Sequence, residues 1–212
     1  MFGTSKVHIV DDDEAVRHSL EMLLDSMGLP VTTYDSAARF LEIAPGLEAG
    51  CVLTDIRMPE IDGLTLQRRL AATAAHLPVI VMTGHADVPL AVRALKTGAL
   101  DFLEKPFDDE HLVQVLRAAL ARAEENRAAR ARWAATMARL ESLTPREREV
   151  LDRLILGHPN KVIAHELGTS PRTVEVQRAR VMEKMGAAGV VELVRMMMRP
   201  GDQPRGAPSG TA

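Results

Sequence analysis

A chain of 212 residues, 46% of them apolar, is long for one domain, comfortable for two, and able to bury a core built mostly of Leu, Val, Ile, Ala and Met, since aromatics make up only 3%. It has no apolar run long enough to span a bilayer, no charged-then-apolar signal at its N-terminus, and a single cysteine, Cys51, which excludes an internal disulfide; a cytoplasmic protein with no membrane partner is expected. The net charge of −3 hides an asymmetry: residues 1–120 hold 10 Lys and Arg against 18 Asp and Glu, and the remainder holds 16 against 11. An acidic half suits a metal or phosphate site and a basic half a polyanion, although ordinary drift of surface charge would give the same counts.

Taken in order, residues 6–10 form a short apolar run that ends in Asp11-Asp12-Asp13 and reads as a strand. Apolar spacing at Val16, Leu20, Leu23, Leu24 and Met27 predicts a helix stopped by Gly28. Residues 31–34 are a β-rich strand, and Ser36 precedes a short helix that ends near Pro45-Gly46. The run Cys51-Val52-Leu53-Thr54-Asp55 predicts a buried strand whose last residue is a carboxylate, followed by turn signals at Pro59 and Asp62-Gly63. A helix over 64–74, a strand over 78–82, a helix over 88–96 and a short strand over 100–103 complete the half. This alternation predicts α/β crossover units, a doubly wound parallel sheet with helices on both faces.

Residues 109–140 contain no Gly or Pro and read as one long helix of about 48 Å. A seam at heptad-like spacing runs through Leu112, Leu116, Ala119, Ala123, Asn126, Arg130, Trp133, Met137 and Leu140, with a polar middle. A solvated single helix and a weak dimer seam both fit it. Thr144-Pro145-Arg146-Glu147 is a capping box opening a helix that stops at Gly157. Asn160 is the expected cap of a second helix; after the turn Gly168-Thr169-Ser170, Ser170-Pro171 opens a third, to about Met185, and a fourth covers 190–198. The two short helices and their turn fit a helix-turn-helix in an all-α four-helix domain. Residues 200–212 are polar, Gly- and Pro-rich, and expected to be a disordered tail.

The strand tips carry the chemistry: Asp11 and Asp12, then Asp55, Thr83 and Lys105. In a parallel sheet all four tips meet at one edge, where ligands bind. Carboxylates brought together there repel unless a cation lies between them. Asp12 and Asp55 can bind Mg²⁺, with Asp11 reaching the ion through water. Asp55 can act as nucleophile toward a phosphoryl group, Thr83 can hydrogen-bond its oxygen, and Lys105 supplies a point charge. Lys105-Pro106 is a candidate cis peptide. The seven histidines show no metal-ligand spacing; His85 lies nearest the site and is a candidate for tuning water access.

Asp11-Asp12, Asp55 with Met58-Pro59, Thr83-Gly84 and Lys105-Pro106-Phe107 resemble the receiver domain of bacterial two-component response regulators, over residues 4–120. The resemblance implies a flavodoxin-like fold with strand order 2-1-3-4-5, phosphorylation of Asp55 by a sensor histidine kinase, and self-catalysed loss of the phosphoryl group to water. It also implies a Mg²⁺ shell completed by the backbone carbonyl of Arg57, and Phe102 as the switch aromatic that turns inward with Thr83. After a helical linker, 121–142, residues 143–199 resemble the LuxR-type output domain, and the whole chain resembles the FixJ-type branch. Its segments are Asn160-Lys161-Val162-Ile163-Ala164, Ser170-Pro171-Arg172-Thr173-Val174-Glu175-Val176 and Lys184-Met185. The resemblance implies base contacts in the major groove of double-stranded DNA from Glu175, Val176 and Ala179, and phosphate contacts from Lys161, Arg172 and Arg178. Thr173 and Gln177 belong to the same surface; Gln177 stands where the family usually has His.

The expectation is a transcription regulator that pairs as a homodimer when phosphorylated, with RNA polymerase a further candidate partner. A phosphatase of the haloacid-dehalogenase type would carry a second Asp two residues after the first, where this chain has Arg57. No enzyme activity beyond the chemistry at Asp55 is therefore expected. A third reading, a protein-binding adaptor with a basic head, would show no salt-dependent duplex binding.

Overall fold

The computed structural model describes residues 5–84 and 88–198. His85 and the tail 200–212 lie outside the described residues. The chain divides into two compact units, Met1–Ala128 and Ala129–Ala212.

The first unit holds five strands, β1 (Lys6–Val10), β2 (Val31–Tyr34), β3 (Gly50–Asp55), β4 (Val79–Thr83) and β5 (Asp101–Glu104). They form one parallel sheet in the order β2-β1-β3-β4-β5. Between them run α1 (Glu14–Ser26), α2 (Ala37–Ile43) with a 3₁₀ turn at Ala44–Gly46, α3 (Gly63–Thr73) and α4 (Val88–Lys96). Residues from alternating strand positions feed two cores. Val7, Ile9, Leu53, Ile80 and Met82 pack with Leu20 and Leu24 of α1. Val10, Val52, Val79 and Val81 pack with Phe40 of α2 and Leu66 and Leu70 of α3 on the opposite face. Burial on both faces explains why β3 and β4 are continuous apolar runs rather than alternating ones. The order reverses between β1 and β3, so the crevice such a reversal opens lies at the ends of the two strands that lead into Asp11 and Asp55.

Several boundaries differ from the sequence reading. β4 begins at Val79, because Pro78 has no N–H to add to the ladder, although its carbonyl accepts from Val52 N at 2.8 Å. β5 is shifted by one residue, to Asp101–Glu104, and α3 starts at Gly63, capped by Asp62, whose carboxylate accepts from Thr65 N. Ser36 holds the cap position of α2 without a side-chain bond.

Helix α5 (Asp109–Glu141) contributes to both units. In the first, Leu112, Leu116 and Ala119 enter the core, and Asn126 Nδ2 donates to His76 O at 2.9 Å. The polar middle of the seam thus has at least one fixed intramolecular partner. In the second unit Leu140 joins the core formed by α6 (Pro145–Ile155), α7 (Asn160–Glu166), α8 (Pro171–Met185) and α9 (Val190–Met197). The span read as a linker, 121–142, is therefore shared between the two units rather than lying outside both. The capping box at Thr144 and Glu147 is formed in both directions. Asn160 does not cap α7: Pro159 takes that position, and Asn160 Oδ1 instead accepts from Arg178 Nη1 at 3.3 Å.

Candidate functional site

At the strand tips of the first unit, Lys105 Nζ lies 2.8 Å from Asp55 Oδ1 and 3.1 Å from Asp11 Oδ2. The ammonium occupies the place between two carboxylates that electrostatics requires a cation to fill. Thr83, buried, is joined to the same edge through its carbonyl, which accepts from Lys105 N at 2.7 Å. Lys105-Pro106 is cis. The sequence-predicted Asp11, Asp55, Thr83 and Lys105 thus meet at one edge. In the loop that follows β1, Asp11 is buried and the adjacent Asp12 is exposed.

Each carboxylate is held by more than its ion pair. Asp55 Oδ2 accepts from Arg57 N at 2.6 Å, so the backbone turns back over the strand end. Asp11 Oδ1 accepts from Asp13 N at 3.0 Å, and the Asp11 carbonyl accepts from Arg17 Nη1 at 2.8 Å. Burial raises the Asp11 pKa, and this outweighs the opposing pull of the Asp13 amide and of Lys105. Burial alone would lower the Lys105 pKa, but Asp55 and Asp11 together raise it. Lys105 stays charged and Asp11 gives up its proton less readily than a free carboxyl.

The donor chemistry fits Mg²⁺. The ion takes oxygen ligands, uses one or two carboxylates and keeps several waters. Among the described residues no three His, Cys, Asp or Glu side chains cluster as a metal cage.

Phe102, the expected switch aromatic, is half-buried against the core that contains Val81, one strand over from Thr83. The reading of the sequence missed two residues that shape this edge, Arg17 and Gly63, and one, Gln67, that joins two helices of the same unit. No motif or spacing marks Arg17, whose guanidinium reaches the Asp11 carbonyl. Gly63 was read only as a turn signal. Gln67, buried on α3, donates to Ala94 O at 3.0 Å and accepts from Thr97 Oγ1 at 3.0 Å, tying α3 to the C-terminal end of α4. With Thr65, Arg68 and Arg69 beside it, nothing local in α3 set Gln67 apart.

In the second unit α8 buries Val174, Val181 and Met185 and exposes Arg172, Thr173, Glu175, Val176 and Ala179, as the spacing predicts. Ser170 Oγ caps the helix, accepting from Thr173 N at 3.1 Å, and pairs with the Thr173 hydroxyl at 2.8 Å. Lys161 is exposed on α7. Two residues of the expected surface are partly committed elsewhere: Arg178 holds Asn160, and Gln177 is half-buried, its Oε1 without a hydrogen-bond partner. Among the described residues no helix is long and apolar enough to cross a membrane.

Comparison with known proteins agrees with this geometry. Residues 7–117 match the family described as response regulator receiver domain, and residues 141–197 match the bacterial regulatory proteins of the luxR family. The transcriptional regulatory protein FixJ of Azorhizobium caulinodans is 55% identical over 199 residues, covering 93% of this chain and 94% of that protein. FixJ of Bradyrhizobium diazoefficiens is 50% identical over 195 residues, covering 92% and 95%. Among solved structures, the response regulator StyR superposes with a TM-score of 0.73 at 40% identity, covering 91% of this chain and 97% of that one. Two signatures in sequence order, receiver and then luxR-type, together with relatives matched over nearly their whole length, place this chain in the FixJ-type family of two-component response regulators, DNA-binding transcription regulators built from a receiver and a LuxR-type output domain.

Proposed function

We propose that Asp55 accepts a phosphoryl group from the phosphohistidine of a partner sensor kinase, that the transfer uses Mg²⁺, and that the added charge promotes pairing of two chains on DNA. The observation that carries this reading is the Lys105 ammonium bridging Asp11 and Asp55 at the strand-order reversal. A carboxylate oxygen of Asp55 bonds to phosphorus as the N–P bond of the donor breaks. The Arg57 amide orients the carboxylate, Lys105 balances charge on the transferred oxygens, and the Thr83 side chain is the hydrogen-bond donor to them. Asp12, Asp55 and the Arg57 carbonyl would hold the ion, with Asp11 contributing through water. Bound there, Mg²⁺ supplies charge neutralisation at the phosphoryl oxygens and offsets the burial that now raises the Asp11 pKa. Hydrolysis later returns Asp55 to a free carboxylate, and the chain turns over no other substrate.

Phosphorylation adds roughly −1.5 to −2 charges beside Thr83, and the expected response is inward movement of Phe102. The face formed by α4, β5 and the start of α5 exposes Val92, Leu95 and Leu100, which supports this face as the pairing surface. Paired heads would bind half-sites one duplex turn apart, and RNA polymerase is the downstream partner of a regulator located in the cytoplasm. The test is kinase-dependent labelling of Asp55→Asn beside the wild type, with sizing of both in the presence of Mg²⁺. Labelling of the variant at the wild-type level would refute the assignment.

A further inference from the structure

The end of helix α5 grips the C-terminal end of α8. Arg139 Nη1 donates to Met185 O at 2.8 Å, satisfying one of the carbonyls left open where α8 stops. Gly186 follows in the left-handed conformation, φ 65°, and a Cβ there would lie 3.1 Å from Arg139 Nη1, so the guanidinium packs against the bare backbone of the cap. From the other side, Lys184 Nζ donates to Ser142 O at 3.2 Å and to Glu147 Oε2 at 2.6 Å. Glu147 Oε2 in turn accepts from Thr144 N at 2.9 Å. Residues 139–147 therefore hold residues 184–186 through several directional bonds, whereas the rest of α8 is held by the apolar contacts of Val174 and Val181, which resist sliding less specifically, and by the single longer bond from Arg178 Nη1 to Asn160 Oδ1 at 3.3 Å.

We propose that Arg139 is a positioning residue for DNA reading: it fixes the tilt of α8 by clamping the end far from the bases. Glu175 lies ten residues, about 15 Å, along α8 from the clamp at Met185, so a tilt of about 10° there moves it by about 2.6 Å. That is far beyond the tolerance of a base-edge hydrogen bond but small for a diffuse phosphate attraction. The clamp thus acts on specificity more than on overall affinity. This inference rests on the DNA-binding reading of α8.

The test uses the full chain and two duplexes, one selected by the wild-type protein from a random library and one a shuffled copy. Arg139→Ala is expected to lower the ratio of selected to shuffled affinity by about tenfold while leaving the shuffled affinity and its salt dependence unchanged. Arg139→Lys keeps a cation beside the Met185 carbonyl and recovers part of the ratio. Arg172→Ala, a phosphate-contact comparator, lowers both affinities together. The proposal is overturned if Arg139→Ala leaves the ratio intact, or if it weakens both duplexes with a salt slope shallower by about one, the mark of a direct phosphate contact. If Arg139→Ala loses its cooperative melting transition, the lysine variant decides: fully folded with a lowered ratio and an unchanged shuffled affinity it supports the clamp, and fully folded with the wild-type ratio it overturns it. A wild-type chain that selects no duplex would instead sink the DNA-binding reading itself.

Discussion

The bare Cα of Gly63 packs directly behind Asp55: a Cβ at position 63 would lie 2.2 Å from the Asp55 carbonyl oxygen. Gly63 N also donates to Ile56 O at 3.0 Å, so the loop after β3 folds back and closes on the strand end it left. The atoms in the way are backbone, which cannot swing aside as a side-chain tip can. Gly63→Ala should therefore displace Asp55 relative to Lys105. We expect a loss of about 1–3 kcal/mol of stability and phosphorylation by a small acyl phosphate slowed by up to about a hundredfold. Thermal melting and a labelling time course check both; wild-type behaviour in the two would show that the backbone relaxes freely here.

Gln67 is buried with both ends of its amide engaged, to Ala94 O and to Thr97 Oγ1. Gln67→Leu keeps the volume and removes both bonds. The expected cost is about 1–3 kcal/mol, with faster amide exchange confined to the C-terminal turn of α4. Thr97 Oγ1 also reaches the Arg93 and Ala94 carbonyls, so Thr97→Val should act in the same direction. Unchanged exchange in α4 would mean that α3 does not restrain it.

His8 is buried on β1 between Tyr34 and Phe40, and its Nε2 has no hydrogen-bond partner. Burial, and secondarily the charge of Lys6, lower its pKa from 6.5 to about 4. The folded value is the lower one, so between these limits the unfolded chain binds the extra proton. Stability of the first unit should then rise with pH from about 4 to 6.5 and level off above. A difference of this size corresponds to about 3 kcal/mol at most. Exchange of β1 amides across that window, compared with His8→Leu, tests it; equal slopes in both proteins would assign the pH dependence to other groups.

Glu147 is buried in the second unit, and the hydrogen bond from Lys184, followed by that from the Thr144 backbone, lowers its pKa below 4.5. The depressed value means the stabilisation is present above 4.5 and is lost as pH falls through the folded pKa. Acid should therefore loosen the head before it disturbs the apolar core. Glu147→Gln keeps the reach to the Thr144 amide and removes the charge, so it should flatten the acid limb of the head's melting curve while lowering stability at neutral pH. A variant that retains the wild-type acid limb would remove Glu147 from this role.

Much of this was readable from short-range pattern. Apolar runs of strand length, Gly and Pro punctuation and the capping box at Thr144 and Glu147 depend on residues at most a few positions apart, and the elements they predict are the ones observed. Small errors, such as Asn160 as a cap, arose where a side chain had two competing partners and the more distant one, Arg178, won. Arg17, Gln67 and Arg139 could not be recognised locally. Each is a polar helix residue of a kind usually solvated, and what sets it apart is a carbonyl on another stretch of chain, 27 residues away for Gln67 and 46 for Arg139.

The sequence by itself determined which groups would end each strand and that several carboxylates would need a compensating cation, because strand ends and charge are local properties. Only the tertiary structure decided which cation does so. The sheet order brings Lys105 of one strand end between Asp11 and Asp55 of two others, 94 and 50 residues away in sequence. Position across a sheet is set by which strands pair, and that is a property of the packed chain as a whole.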